Sequence, residues 1–428
     1  MTVPFDAEPD GEEWRPALVA ALQPAWRDRA SVQFGVDPAR AVVVDGIGEP
    51  AVRLLLGLDG ARSRAEVLAA AAADRLDVAR LSALLTELRQ AGVLTDGPPH
   101  EQAGSPHLDP PTGATGSPWA DGRSGGLGVA LPDPGDPSAR AARRRARAAA
   151  GLRRSRALRM AGRLAPDRAS LSLLAATRGA PANHPDEVLR GRQAAAIVVH
   201  GGGRVGSTLA TLLGAAGVGH VHVVDRGPVR PADLAPGGLM VGDLHRSRAA
   251  AAADAIHRNT PEVQTGQLAS HRMPDLVVIA TTRPVDSELA AALHGAGLPH
   301  LVVGVRETTA VVGPLVLPGW TTCLRCTDLY RSDRDPAWPL LAAQLSSLRP
   351  GAPEPCDVLL ATLAAALGGL QCLAYLDGEP AACRNGTLEF ALPGWRVRRR
   401  SWPPHRRCTC GAAYRAGGGG LARGEWTS

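Results

Sequence analysis

Apolar residues along the chain recur with two different periods, and the changes of period divide it. Near the N-terminus, Ser31–Phe34 and Ala41–Val44 are short runs rich in β-branched and aromatic residues. They flank Gly35–Arg40, whose Gly, Asp and Pro predict a turn, so the pair reads as a hairpin. Three helical runs follow. Pro50–Leu58 carries Val52, Leu55 and Leu56. Ser63, with Glu66 three residues on, predicts a capping box that opens the second run. Val78–Ala91 places Leu81, Leu84, Leu85 and Leu88 at helical spacing, Gly92 ends it, and Val93-Leu94 can return as a strand. Strands with a three-helix set predict a small winged-helix-like α+β unit over residues 1–97. Periodicity then vanishes, and Pro, Gly, Asp and Ser predict a disordered linker over 98–138. From Gln193 the pattern alternates. Strands are expected at Ala195–His200, Val221–Val224, Leu276–Ala280 and Leu301–Val305, with helices at Ser207–Ala216, Arg246–His257 and Ser287–Ala296 between them. This alternation predicts an α/β domain over 191–428 built on a Rossmann-like, doubly wound parallel sheet.

Composition refines this division. The chain has 428 residues, enough for two or three domains. Apolar residues make up 45% but aromatics only 3%, so the cores must be built from Ala, Val and Leu. All 47 basic residues are arginines, and any phosphate contact must manage without lysine. The net charge of +6 is local: Ala139–Arg163 holds ten Arg and no acid, and the rest balances 37 basic against 41 acidic residues. Residues 139–190 are therefore expected to form an Arg-rich helical connector. A solvated face that packs Leu152, Leu158 and Leu164 explains it better than a nucleic-acid surface. The winged segment is itself not basic, since Leu81–Ala91 carries only Arg89, so nucleic acid is not an expected partner. Val358–Leu376 is uncharged for 19 residues, long enough for a bilayer. Its Thr362, Gly368, Gly369, Gln371 and many alanines instead predict a buried core or interface helix. The first thirty residues carry acids and Trp and lack the pattern of a signal peptide, so a cytoplasmic protein without membrane partners is expected.

Two motifs carry chemistry. Gly201-Gly202-Gly203-Arg204-Val205-Gly206 lies between an expected strand and its helix and reads as Gly-x-Gly-x-x-Gly. The first Gly makes the turn, the second, Gly203, lets a phosphate approach the backbone, and the third, Gly206, lets helix and strand pack. The helix N-terminus offers unpaired N–H groups to an anion. Asp225 ends the next strand 19 residues after Gly206, where a ribose-binding acid is expected. A Rossmann-like fold that has lost its ligand would keep the same motif. The second motif pairs Cys323 and Cys326 with Cys408 and Cys410, with 81 residues between the two pairs. Two chelating thiolate pairs predict a closed tetrahedral zinc site that holds structure and does not catalyse. A redox Cys-x-x-Cys is the rival reading. Cys356, Cys372 and Cys383 are expected in the core.

These residues, taken together, resemble the superfamily of ThiF, MoeB and the ubiquitin-activating enzymes over about 193–413. The matching stretches are VVHGGGRVGSTLATLLGAAGVGHVHVVD, VRPADL, PDLVVIAT, LVVGVRETTAVVGPLVL, and TTCLRC with the late CTC. The resemblance implies ATP with Mg2+ on the glycine loop, adenylation of the C-terminus of a small β-grasp protein, a structural zinc, and a homodimer. Several positions depart from the family pattern. Gly227 replaces the second Asp of its second loop, and Asp233 stands where Asn is usual. Pro236 falls at the ATP-contacting Arg, Arg248 at the phosphate-binding Lys, and Thr282 near the Mg2+-binding Asp. Phosphoryl chemistry depends on such cations and metals, so a degenerate adenylation site is expected. The N-terminal unit is similar to PqqD-like leader-recognition domains. Such a unit ahead of a ThiF-like domain resembles the leader-binding proteins of azoline peptide biosynthesis, which present a precursor to a YcaO-type enzyme. The resemblance thus implies a peptide bound by strand addition at Ser31–Phe34 or Ala41–Val44. The alternative is a working adenylyltransferase that draws its cation from Arg248 or Arg204. An NAD-dependent oxidoreductase would need a second, base-bearing domain that the sequence does not offer.

Overall fold

The structure is a computed structural model that describes residues 14–37, 40–97, 162–181, 183–346 and 354–413. The expected linker at 98–138, and all but the last two residues of the arginine-rich run, lie outside the described residues.

Among its described residues the N-terminal unit has five short strands and three helices. β1 (Pro16–Leu18) pairs antiparallel with β5 (Leu94–Asp96). The expected hairpin is present as β3 (Val32–Phe34) and β4 (Val42–Val44), and β2 (Pro24–Trp26) adds to it in the order β2-β3-β4. Helices α1 (Gly48–Leu56), α2 (Arg64–Ala73) and α3 (Val78–Gln90) cover it. Ser63 and Glu66 form the capping box at α2, and Gly92, at φ +72°, ends the last turn after α3. Trp14, Val32, Phe34, Val44, Leu55, Leu85 and Leu88 are buried together in one core. This corrects the edge expected at Ser31–Phe34. β3 is paired on both sides, and its Val32 and Phe34 are fully buried rather than available to a ligand. β2 is capped as well: the Gln344 amide accepts from Trp26 N–H at 2.9 Å and donates to Trp26 C=O at 2.8 Å. Among the described residues no strand pairs with the outer edge of β4, where Val43 is 41% exposed.

The second unit begins with α4 (Ala165–Thr177) and α5 (His184–Ala194), which lead into a seven-stranded sheet. β6 (Ala196–His200), β7 (His220–Val224), β8 (Leu276–Thr281) and β9 (His300–Arg306) are parallel in the order β7-β6-β8-β9. The sheet is mixed, because β10 (Thr309–Val316), β11 (Gly386–Ala391) and β12 (Val397–Ser401) continue it antiparallel. On one face pack α6 (Arg204–Ala215), α7 (Arg248–Asn259) and α11 (Val358–Leu376). The other carries α8 (Ser287–Gly295) and α9 (Leu324–Arg334). Strand periodicity explains both layers: Leu276 and Val278 join the first core, Val277 and Ile279 the second. α11 is long and apolar enough to cross a membrane, but one side of it lies on the sheet. A Cβ on Gly368 would come within 2.7 Å of Val303, so only glycine allows that approach.

The two units meet on α10 (Trp338–Ser346) and on the β9–β10 turn. Ala25 of β2 packs on Leu341 and Leu345. Arg27 donates to both Asp335 oxygens, at 2.8 and 2.5 Å. The Glu307 carboxylate accepts from the backbone N–H groups of Val36 at 2.5 Å and Asp37 at 3.2 Å. Thr309 Oγ1 donates to buried Asp37 at 2.9 Å. Arg27→Ala is expected to lower stability by about 1–3 kcal/mol, as the loss of a charged partner does. The Arg27 hydrogen bond holds the Asp335 carboxyl below its usual range. Its contribution is therefore complete above the unfolded carboxylate pKa and lost as pH falls through the lower folded value. Denaturant titrations from neutral to acidic pH should show the wild-type advantage over Arg27→Ala shrinking with acid. An advantage independent of pH would show that the ion pair does not hold this interface.

Candidate functional site

The parallel half of the sheet aims its C-terminal ends at the glycine loop. β6 ends at His200, Gly201 turns the chain at φ +102°, and α6 begins at Arg204 with Gly203 as a cap that lends no side chain. The three motif glycines serve different needs. A Cβ on Gly201 would lie 2.3 Å from Ala280 O, and one on Gly206 would lie 1.8 Å from Gly201 O. Both positions are set by backbone contact. A Cβ on Gly203 would meet nothing nearer than Asp233 Oδ1 at 3.4 Å, so packing does not require glycine there. What it leaves is bare backbone in front of unpaired helix N–H groups, the arrangement that suits an anion.

Asp225 organises the loop. One oxygen accepts from Gly202 N–H and the other from Gly227 N–H, each at 2.7 Å. Arg248 reaches the same carboxylate at 3.3 Å, lies 3.5 Å from Asp233, and donates to Pro228 C=O. Gly227 makes this possible, because a Cβ there would fall 2.4 Å from Arg248 Nη2. Glycine at 227 and arginine at 248 are thus one local arrangement. Arg204 does not join it: its Nη1 donates to Cys356 C=O at 2.7 Å. The Thr282 hydroxyl donates to Glu354, whose other oxygen pairs with Arg283. Glu354 thus brings a carboxylate to the end of β8 from 72 residues away, and no local motif marks it. Burial holds the His200 imidazole below its usual pKa, although Asp225 opposes the shift.

The four cysteines converge from two elements. Cys323 caps α9, Cys326 lies in its first turn, and Cys408 and Cys410 approach from the late segment. Sulfur separations are 3.6 Å for Cys323–Cys326, Cys323–Cys408 and Cys326–Cys410, and all four lie within 4.8 Å of one another. A tetrahedral ion with metal–sulfur bonds of about 2.3 Å keeps its sulfurs about 3.8 Å apart, so the thiols stand at metal-ligand spacing. The group could hold a metal. Cys356 and Cys383 lie elsewhere, with burial pushing their thiols up to about 11 and about 12. Cys372 is fully buried in the main core, and burial raises its thiol as well. None of the three has the character of an activated nucleophile.

Residues 182–412, which hold the glycine loop, Asp225 and all four cysteines, match the ThiF family. The chain belongs to the ThiF family. No curated protein matches it. Among solved structures, E. coli MccB with ATP is 13% identical, with a TM-score of 0.47, covering 92% of this chain and 99% of that one. The microcin C7 biosynthetic enzyme MccB in complex with N-formylated MccA is 15% identical, with a TM-score of 0.47, 92% of this chain and 99% of that one. PaaA is 16% identical, with a TM-score of 0.44, covering 56% of this chain and 82% of that one.

Substitutions separate the packing glycines of this ThiF-family loop from the open one. Gly206→Ala should cost at or above the upper end of the ~1–3 kcal/mol typical of overpacking, because backbone cannot yield as a side chain can. Gly203→Ala should leave the melting temperature nearly unchanged. Equal losses at the two positions would show that the space before Gly203 is not real.

Proposed function

We propose that this ThiF-family protein binds a peptide or small-protein substrate and presents it to a partner enzyme, with a glycine loop that takes ATP but adenylates poorly. The observation that carries this is the position of the N-terminal unit. Its Val36 lines the same groove as Thr281–Arg283, at the strand ends beside the loop. The N-terminal unit therefore reaches the end of β8, the strand whose Ala280 packs against Gly201 of the nucleotide-type loop. Further support comes from charge. Asp225 already accepts two backbone N–H groups, and Arg248 is matched by Asp225 and Asp233, so neither is unengaged toward an incoming phosphate. Bound ATP would supply the adenylyl group that activates a carboxylate, with pyrophosphate as the leaving group. This chain's part would be to hold it on the Gly203 backbone and to place a peptide end beside it. In this reading β4 receives the peptide as an added strand, a YcaO-type enzyme is the partner, and the chain is a cytoplasmic homodimer in which residues 1–97 act as the recognition domain. The alternative is an efficient adenylyltransferase. Glu354 favours it, because it restores a carboxylate beside Thr282.

Pyrophosphate exchange into ATP should stay at background with any carboxylate offered. Exchange at ordinary enzyme rates, abolished in Asp225→Ala, would establish the alternative instead. When a peptide encoded beside this chain binds, hydrogen exchange should slow at Val42–Val44 and not at Pro24–Trp26. Protection spread elsewhere would remove strand addition at β4.

The cysteine quartet fits zinc best among the common ions, because four thiolates with no open position suit a closed d10 site. Purified protein should carry about one zinc per chain. Cys323→Ser should lose the metal and fall in melting temperature. A metal-free protein of full stability would rule out a structural zinc.

A further inference from the structure

Between the end of β8, the middle of β9 and α9 lies a cavity of about 110 Å³, which shares lining residues with a smaller one of about 30 Å³ beside the N-terminal unit. Apolar side chains make much of its wall: Val302, Val311, Pro314, Leu324 and Trp338. Three guanidinium groups also face it, and two of them are matched. Arg283 pairs with Glu354, and Arg331 pairs with Asp328 at 3.0 Å while lying 4.9 Å from the Trp338 ring centre. Glu389, on the far wall, lies 3.7 Å from Arg400. Arg306 is different. It lines both cavities, no carboxylate or carbonyl among the described residues accepts from its side chain, and its Nε is buried without a partner. Its charge adds to that of Arg331, whose pKa is held down chiefly by burial. An unmatched cation in a partly dry site costs free energy unless an anion answers it.

We propose that this cavity binds a carboxylate carried on an apolar stem, with Arg306 as its counter-ion. The apolar walls take the stem and the guanidinium offers two parallel N–H donors to the two oxygens. The group could be an acidic side chain or the terminal carboxylate of a peptide. Asp328 and Glu389 would reject a second negative charge, so a monoanion is specified. This proposal stands beside the reading of peptide presentation and does not rest on it, because a free acid would satisfy the same site.

The probe is hexanoate, with hexanamide as its neutral counterpart, titrated into the full chain by saturation-transfer NMR. Hexanoate should bind at least tenfold more tightly than hexanamide, and Arg306→Gln should remove that preference, as the loss of a charge-assisted hydrogen bond does. Arg306→Lys should restore part of it. Displacement of hexanoate by an amide-capped acetyl-Leu-Glu peptide would assign the site to a side chain, and displacement only by acetyl-Leu-Leu with a free C-terminus to a chain end. Equal binding of the two probes by wild-type protein, which needs no variant, would overturn the proposal. So would undiminished hexanoate binding by an Arg306→Gln protein of unchanged melting temperature. Failure of peptide presentation would leave the hexanoate result standing, so the two readings fail separately.

Discussion

The close crossing of α6 over the ends of β6 and β8 sets the terms for everything near it. Backbone meets backbone there, with no side chain between Gly206 and Gly201 or between Gly201 and Ala280. That contact fixes where the helix starts, and so where its unpaired N–H groups point. It also presses the loop toward Asp225, whose carboxylate then satisfies two N–H groups of the surrounding turns. A buried backbone donor without a partner is costly, so this acid has a structural duty before any ligand arrives. The glycine motif therefore has two origins in one short stretch: packing at its ends and access at its centre.

Charge around the ends of the parallel strands is arranged locally. Arg248 occupies the room that Gly227 leaves and is balanced by acids on two loops, while Arg283 and Glu354 balance each other at the end of β8. The N-terminal unit is held against the sheet domain through Glu307 and Arg27, both of which use charged groups against partners in partly buried surroundings. Such contacts fix orientation more than they add stability. The unit is held in register with the sheet domain, and its own hydrophobic core remains separate from the sheet's.

The parallel strands were legible in the sequence because they are buried on both faces and read as continuous apolar runs, bounded by turn residues. The cysteine quartet was legible because each half is a chelating pair in itself. Other features had no local signature. β2 begins with a proline and is three residues long, so nothing distinguishes Pro24–Trp26 from loop. Without β2 the pairing of β3 cannot be known, and the sequence leaves the open edge to either strand of the hairpin. β12 is exposed along its whole length and dominated by arginine, so periodicity is silent there. Thr282 read as a lost acid, while the acid that meets it lies in a segment with no motif. Long-range pairing of this kind becomes visible only when the chain is folded.

The two cysteine pairs also have a topological meaning. Joined by one ion, they would turn residues 323–410 into a closed ring that carries α10, the segment from Glu354 to Asp357 that crosses Arg204, the long helix α11, and the two outermost strands. Holding the ends of so long a loop together without a cross-link costs on the order of 4 kcal/mol in chain entropy. A metal bound only by the folded chain would offset that cost with its own binding free energy. Cys323 and Cys326 sit beside Leu324 and Thr327 of the cavity wall, so an ion held there would brace that wall as well as close the ring.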